Sequence, residues 1–218
     1  YIYILYLMND SSRKFPENLE NPFDNYILLY GTKLFPLFKS LKFTPNIITT
    51  FSLVFGLLSC YFLYRQNFTI SCIFYFLSYT FDCLDGNFAR KYNMTSKFGD
   101  YYDHIKDVIV LLLLGLVYYK YSHFKKFKLE NKFLIFFVTI FLLITICLHL
   151  GCQEIYVKKN SESLNSQSID SQSLNILTNI CSKKIYENMH ILRYFGCGTF
   201  NIWILFLIII NKVYFHYK

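Results

Sequence analysis

The stretch DCLDGNFARKYNMTSKFGDYYDHIKD, residues 82–107, decides how this chain is read, because it sets five aspartates between two apolar runs. The whole chain of 218 residues has only 14 acidic side chains, and Asp82, Asp85, Asp100, Asp103 and Asp107 are five of them. Asp82 and Asp85 are three apart and Asp103 and Asp107 four apart, spacings that put each pair along one face of its helix. The connector 86–98 lets the two helices run side by side and brings four carboxylates together. A carboxylate at membrane depth costs several kcal/mol unless it is paired, hydrated or bound to a cation, so the cluster reads as a functional site. Snorkelling at a helix end is the plainer alternative, and the regular spacing disfavours it. Four hard oxygen ligands around a gap suit Mg²⁺ or Mn²⁺, one ion or two. No Cys or His set competes for a softer metal, since His104 stands alone.

Outward from this stretch, the composition calls for a bilayer as solvent. Hydrophobic residues make up 54% and aromatic residues 21%, against 17% charged, which excludes a disordered chain and argues against an ordinary soluble domain. Apolar runs at 46–63, 69–84, 108–119, 133–150 and 191–210 predict five spans. Two are short if only uncharged residues count: 108–119 gives about 18 Å of helix and 69–81 about 20 Å, so both recruit acidic residues to cross roughly 30 Å of hydrocarbon. The expected fold is all-α, a polytopic integral membrane helix bundle.

Residues 26–43 alternate Leu28, Leu29, Leu34, Phe35, Leu37, Phe38 and Leu41 with Lys33, Lys39 and Lys42, a basic amphipathic helix in the membrane interface, broken at Pro36. The chain thus divides into a polar amino-terminal segment 1–25, the interfacial helix 26–43 and a membrane domain 44–218 with a polar excursion at 154–188. A first residue of Tyr in place of Met reads as a fragment or trimmed chain. The net charge of +8 is strung along short connectors, which points to anionic lipid headgroups and away from nucleic acid. The charge asymmetry between faces is weak and gives orientation only a lean. Seven cysteines fall mostly inside apolar runs with no CxxC spacing and read as small buried hydrophobes.

Between the two acidic pairs come Gly86, Ala89, Arg90 and Gly99, which include the single alanine of the chain, one of its four arginines and two of its eight glycines. Gly86, Ala89 and Gly99 remove side-chain bulk beside the acidic cluster, and Arg90 offers a planar cation. The string Asp82-x2-Asp85-Gly86-x2-Ala89-Arg90-x8-Gly99-x3-Asp103-x3-Asp107 resembles the signature of the CDP-alcohol phosphotransferase family, with every fixed position filled. Upstream, Thr44-Pro45-Asn46-x2-Thr49 looks like the start of that family's first helix.

The resemblance implies an integral membrane enzyme of phospholipid synthesis. Such a transferase moves a phosphatidyl or phospho-alcohol group from a CDP-linked donor, CDP-diacylglycerol or CDP-choline or -ethanolamine, to an alcohol with release of CMP. It implies that Asp82, Asp85 and Asp103 bind metal, that Asp107 is both ligand and general base, and that Gly86, Ala89, Arg90 and Gly99 hold the CDP moiety. It further implies six spans, a homodimer and, in a eukaryote, an endomembrane such as the endoplasmic reticulum. Asp103-His104 resembles the Asp-His pair of the choline and ethanolamine enzymes, which makes His104 a rival base.

Two other readings compete. An intramembrane Mg²⁺-dependent prenyltransferase carries two acidic motifs far apart in sequence, and this chain has one compact cluster. A channel or transporter with an acidic ion path would not need the small residues at 86, 89 and 99. Lower expectations fall on Arg193, as an interfacial anchor before a lipid-phosphate ligand, and on His149, as a packed and hydrogen-bonded side chain. For Lys106 the sequence leaves two directions open, toward the acidic charge or toward headgroups.

Overall fold

The computed structural model describes residues 13–121, 127–163 and 174–216, and among these every regular element is helical. Asn21 caps α1 (Pro22–Gly31), its side chain accepting from Phe23 N. A 3₁₀ turn, Thr32–Leu34, leads into α2 (Phe35–Ser40). The single interfacial helix expected at 26–43 is therefore two short ones that start at Pro22. The reason is Pro36, which lacks an N–H and stands in the first turn of α2, where none is needed. Leu28, Phe35 and Phe38 turn inward onto Ile48, Leu84 and Phe88, while Tyr26, Tyr30, Leu37 and Leu41 stay exposed.

The bundle proper is α3 (Pro45–Tyr64), α4 (Phe68–Lys91), α5 (Lys97–Tyr121), α6 (Leu129–Ser163) and, after the short helices α7 (Lys183–Glu187) and α8 (Met189–Leu192), α9 (Cys197–His216). Among the described residues three helices are long and apolar enough to cross a membrane: Pro45–Tyr64, Leu129–Asn160 and Met189–Val213. The 24 residues of α4 and 25 of α5 make rods of about 36–38 Å, and their charged residues keep them out of that apolar class. Among the described residues no sixth long helix lies between α6 and α9. The helix α6, 35 residues and about 52 Å, runs past the point where the polar excursion was expected. Its Glu154 is buried and paired with Lys14. Positions 164–173 of that excursion, and 1–12 of the amino-terminal segment, lie outside the described residues.

Small residues bring α3 and α4 close. Ser52 Oγ donates to Ser78 O at 2.9 Å while Ser78 Oγ donates to Ser52 O at 2.8 Å, and Ser59 and Ser71 repeat the exchange at 3.0 and 2.9 Å. Two such pairs, seven residues apart on each helix, set the antiparallel register, and each hydroxyl is satisfied without water. Gly56, between the two serines of α3, faces α5: a Cβ there would lie 2.8 Å from Val110 Cγ2.

One sequence reading of the cysteines is corrected. Cys152 of α6 and Cys181 are joined in a disulfide, with Cα atoms 5.3 Å apart, and the other five remain thiols. The partners are 29 residues apart in sequence, so only the folding back of the segment after α6 brings them together. Gly151 allows that approach, because Leu177 O packs where its Cβ would stand.

Candidate functional site

Thr44, an N-cap in extended conformation, starts α3 with Pro45 behind it, and this orients the next turn toward α4. Thr49 then places its hydroxyl 2.6 Å from Asp85 Oδ2, inside the bundle. On the next face Thr50 Oγ1 meets Tyr102 OH at 3.0 Å, and Asn46 Oδ1 would stand 3.1 Å from a Cβ on Gly99. The upstream Thr-Pro-Asn-x2-Thr stretch thus belongs to the same site as the acidic string.

Asp82 and Asp85 come from the second half of α4, and Asp103 and Asp107 from the first turns of α5. Ligand oxygens of Asp82, Asp85 and Asp103 all lie within 4.8 Å of one another. Asp107 stands beside this trio, not within it, and is joined to it by Lys106. The Lys106 ammonium contacts Asp82 Oδ1, lies 3.1 Å from Asp103 Oδ1 and 2.8 Å from Asp107 Oδ1, and donates to Ser52 Oγ at 3.3 Å. Its side chain is 1% exposed, so of the two directions left open by the sequence, the inward one is taken. His104 Nδ1 is 3.7 Å from Asp103 Oδ2 and lies outside the trio. Hard carboxylate oxygens that already draw a cation into their midst fit a divalent ion.

Gly86 and Arg90 are neighbours: a Cβ on Gly86 would come 3.3 Å from Arg90 Nη1, so the space Gly86 leaves is used by the guanidinium. Arg90 also lines a cavity of about 100 Å³ with Arg13, Lys14, Glu20 and Asn87. Ala89 is buried, and Gly99 is at the first turn of α5. The amino-terminal segment closes this end of the bundle. Arg193 Nη1 donates to Glu17 O at 2.8 Å and to Glu20 O at 3.4 Å, and His149 Nε2 lies 3.1 Å from Leu19 O. Arg193 is thereby a clamp on backbone carbonyls. Burial pushes the Glu20 carboxyl up, and burial with Glu20 and Asp82 nearby pushes Asp24 well above its ordinary value. Sequence reasoning missed this buried polar cap; the Asn21-Pro22 capping signal was its one visible trace.

A helical membrane bundle with a carboxylate centre between two antiparallel helices is the class these features define. The CDP-alcohol phosphatidyltransferase family pattern matches residues 42–181, more than half of the chain, and the chain belongs to that family. It is similar to the CDP-diacylglycerol–serine O-phosphatidyltransferases of Helicobacter pylori. Identity is 38% (strain ATCC 700392 / 26695) and 37% (strain J99 / ATCC 700824) over 65 residues, which are 30% of this chain and 27% of each relative. An uncharacterized protein of Aquifex aeolicus (strain VF5) is 31% identical over 83 residues, 36% of this chain and 42% of that protein. The match therefore spans about a quarter of the length of the serine transferases. No solved structure matches the chain.

Proposed function

We propose that the protein transfers a phosphatidyl group from a CDP-linked donor to an alcohol and releases CMP. The observation that carries this reading is the trio Asp82, Asp85 and Asp103, drawn together by the only string in the chain that fills all eight positions of the family signature. In this reading Asp82, Asp85 and Asp103 hold Mg²⁺ or Mn²⁺, and Gly86, Ala89, Arg90 and Gly99 receive the CDP moiety. A bound divalent ion would neutralise the diphosphate and stabilise departing CMP. Arg90 directs donor hydrogen bonds to phosphate oxygens. Asp107, outside the trio and half exposed, accepts the proton of the acceptor hydroxyl. That oxygen bonds to the phosphorus carrying the lipid, and the bond from phosphorus to CMP breaks. The serine transferases among the relatives make CDP-diacylglycerol and serine the first pair to try. A homodimer and, in a eukaryote, an endomembrane location belong to the same proposal.

The test is CMP release by the purified chain with CDP-diacylglycerol or CDP-choline, Mg²⁺ or Mn²⁺, and a panel of labelled alcohols that includes serine, inositol, glycerol phosphate and diacylglycerol. Activity with CDP-diacylglycerol and one acceptor, lost in Asp82→Asn, Asp85→Asn and Asp103→Asn, supports the reading, whereas activity with CDP-choline alone would make the transferred group a phospho-alcohol. Asp107→Asn should lower turnover by roughly 10²-fold. Full activity in all three ligand variants would refute the site, and loss confined to His104→Gln would move the base to His104.

A further inference from the structure

We infer that Lys106 is a resident cation of the carboxylate centre: its ammonium holds oxygens that a divalent ion needs, and yields Asp82 and Asp103 to the ion while keeping Asp107. The inference rests on the metal reading proposed above and concerns what this chain adds to it. A lysine on a membrane helix ordinarily extends its stem toward water. The side chain of Lys106 turns the other way and is 1% exposed, while its partners Asp82, Asp103 and Asp107 are 26%, 27% and 54% exposed. A buried ammonium survives only when its charge and its three donors are met. Here they are met by three carboxylates and by Ser52 Oγ at 3.3 Å.

Two of those carboxylates, Asp82 and Asp103, belong to the trio whose ligand atoms lie within 4.8 Å of one another. The third member, Asp85, is held by Thr49 and not by Lys106. An ion placed on the trio therefore repels the ammonium from two of its partners. It leaves the ammonium the one carboxylate outside the trio, Asp107, 2.8 Å away. Lys106 thus sorts the four carboxylates: three for the ion, and one kept in place beside them. It is a positioning residue. Two consequences follow: the divalent ion binds in competition with the ammonium, and the metal-free protein depends on the ammonium to offset four clustered negative charges.

The purified 218-residue chain in detergent, at fixed pH, is titrated with Mn²⁺ and the free ion is read by electron paramagnetic resonance. Thermal unfolding is followed in parallel with EDTA and with Mn²⁺. Lys106→Met should bind Mn²⁺ at least tenfold more tightly than the native chain, and should unfold at a lower temperature in EDTA with the loss recovered by Mn²⁺. Lys106→Arg, which keeps the charge, should not gain affinity. Lys106→Gln can still donate to Asp107 and Ser52 and gives the same comparison if the methionine variant does not fold. Mn²⁺ that binds the native chain and is lost in Asp82→Asn, yet binds Lys106→Met and Lys106→Gln no more tightly, overturns the inference alone. No Mn²⁺ binding by any of these proteins overturns the metal reading and the inference with it.

Discussion

Asp85 accepts from the Thr49 hydroxyl at 2.6 Å and from the Gly86 N–H at 2.5 Å, and is otherwise enclosed. A hydrogen bond to a charged group contributes about 1.5–3 kcal/mol, and a buried carboxylate that loses one of its donors is left under-satisfied. Thr49→Val keeps the shape and removes the hydroxyl. It should weaken Mn²⁺ binding and CMP release by roughly tenfold or more, with the helices intact by circular dichroism. Unchanged binding would mean that Asp85 is positioned by its backbone alone. At this scale the eight positions of the string were legible in sequence, because fixed spacing on two helices is a one-dimensional fact. Lys106 was not: a lysine one residue from an aspartate reads the same whether it faces a headgroup or a carboxylate, and the choice lies in what α3 and α4 present to it.

Among the elements, the α3–α4–α5 packing depends on the absence of bulk. A Cβ on Gly56 would meet both γ-carbons of Val110, at 2.8 and 2.9 Å, and Ser78 Oγ at 3.1 Å. Gly56→Ala should destabilise the bundle by about 1–3 kcal/mol, the scale of overpacking. A lower unfolding temperature in detergent is the readout, and no change would show that α5 shifts freely. Asp24 on α1 gives an element-scale test in pH. Its carboxyl is raised well above the ordinary 3.8, so the folded state binds its proton more tightly than the unfolded state does, and stability falls as pH rises through that window. Asp24→Asn removes the charge that folding must bury. It should raise the unfolding temperature near pH 8, with the gain shrinking as pH falls toward 4, where the native carboxyl is protonated.

Over the whole molecule, one covalent link joins α6 to the segment before α7. Unfolded chain kept from reduction should titrate five thiols, and seven after reduction. Cys181→Ser should cost about 2–4 kcal/mol, the scale for opening a loop of this size, seen as a lower unfolding temperature. Seven titratable thiols without reductant would remove the link. The same end of the bundle gathers Lys14 on Glu154, Arg193 on the carbonyls of Glu17 and Glu20, and Asn21 donating to Arg193 O at 2.7 Å and Thr199 Oγ1 at 3.0 Å. The amino-terminal segment is thus held to α6 and α9, elements far along the chain, as a cap beside Arg90.

The amino-acid order by itself determined the membrane as solvent, the apolar runs of the long helices, the helix start at Thr44-Pro45 and the eight-position acidic string. All of these are written in composition or in spacing along one helix. Only the tertiary structure decided that Lys106 turns inward, that Ser52 and Ser59 pair with Ser78 and Ser71, that Cys152 meets Cys181 and that Arg193 clamps the amino-terminal segment. Each of these is a contact between separate elements or a choice of side-chain direction. Its energy depends on which groups the facing helix offers, and periodicity along a single helix carries no record of that.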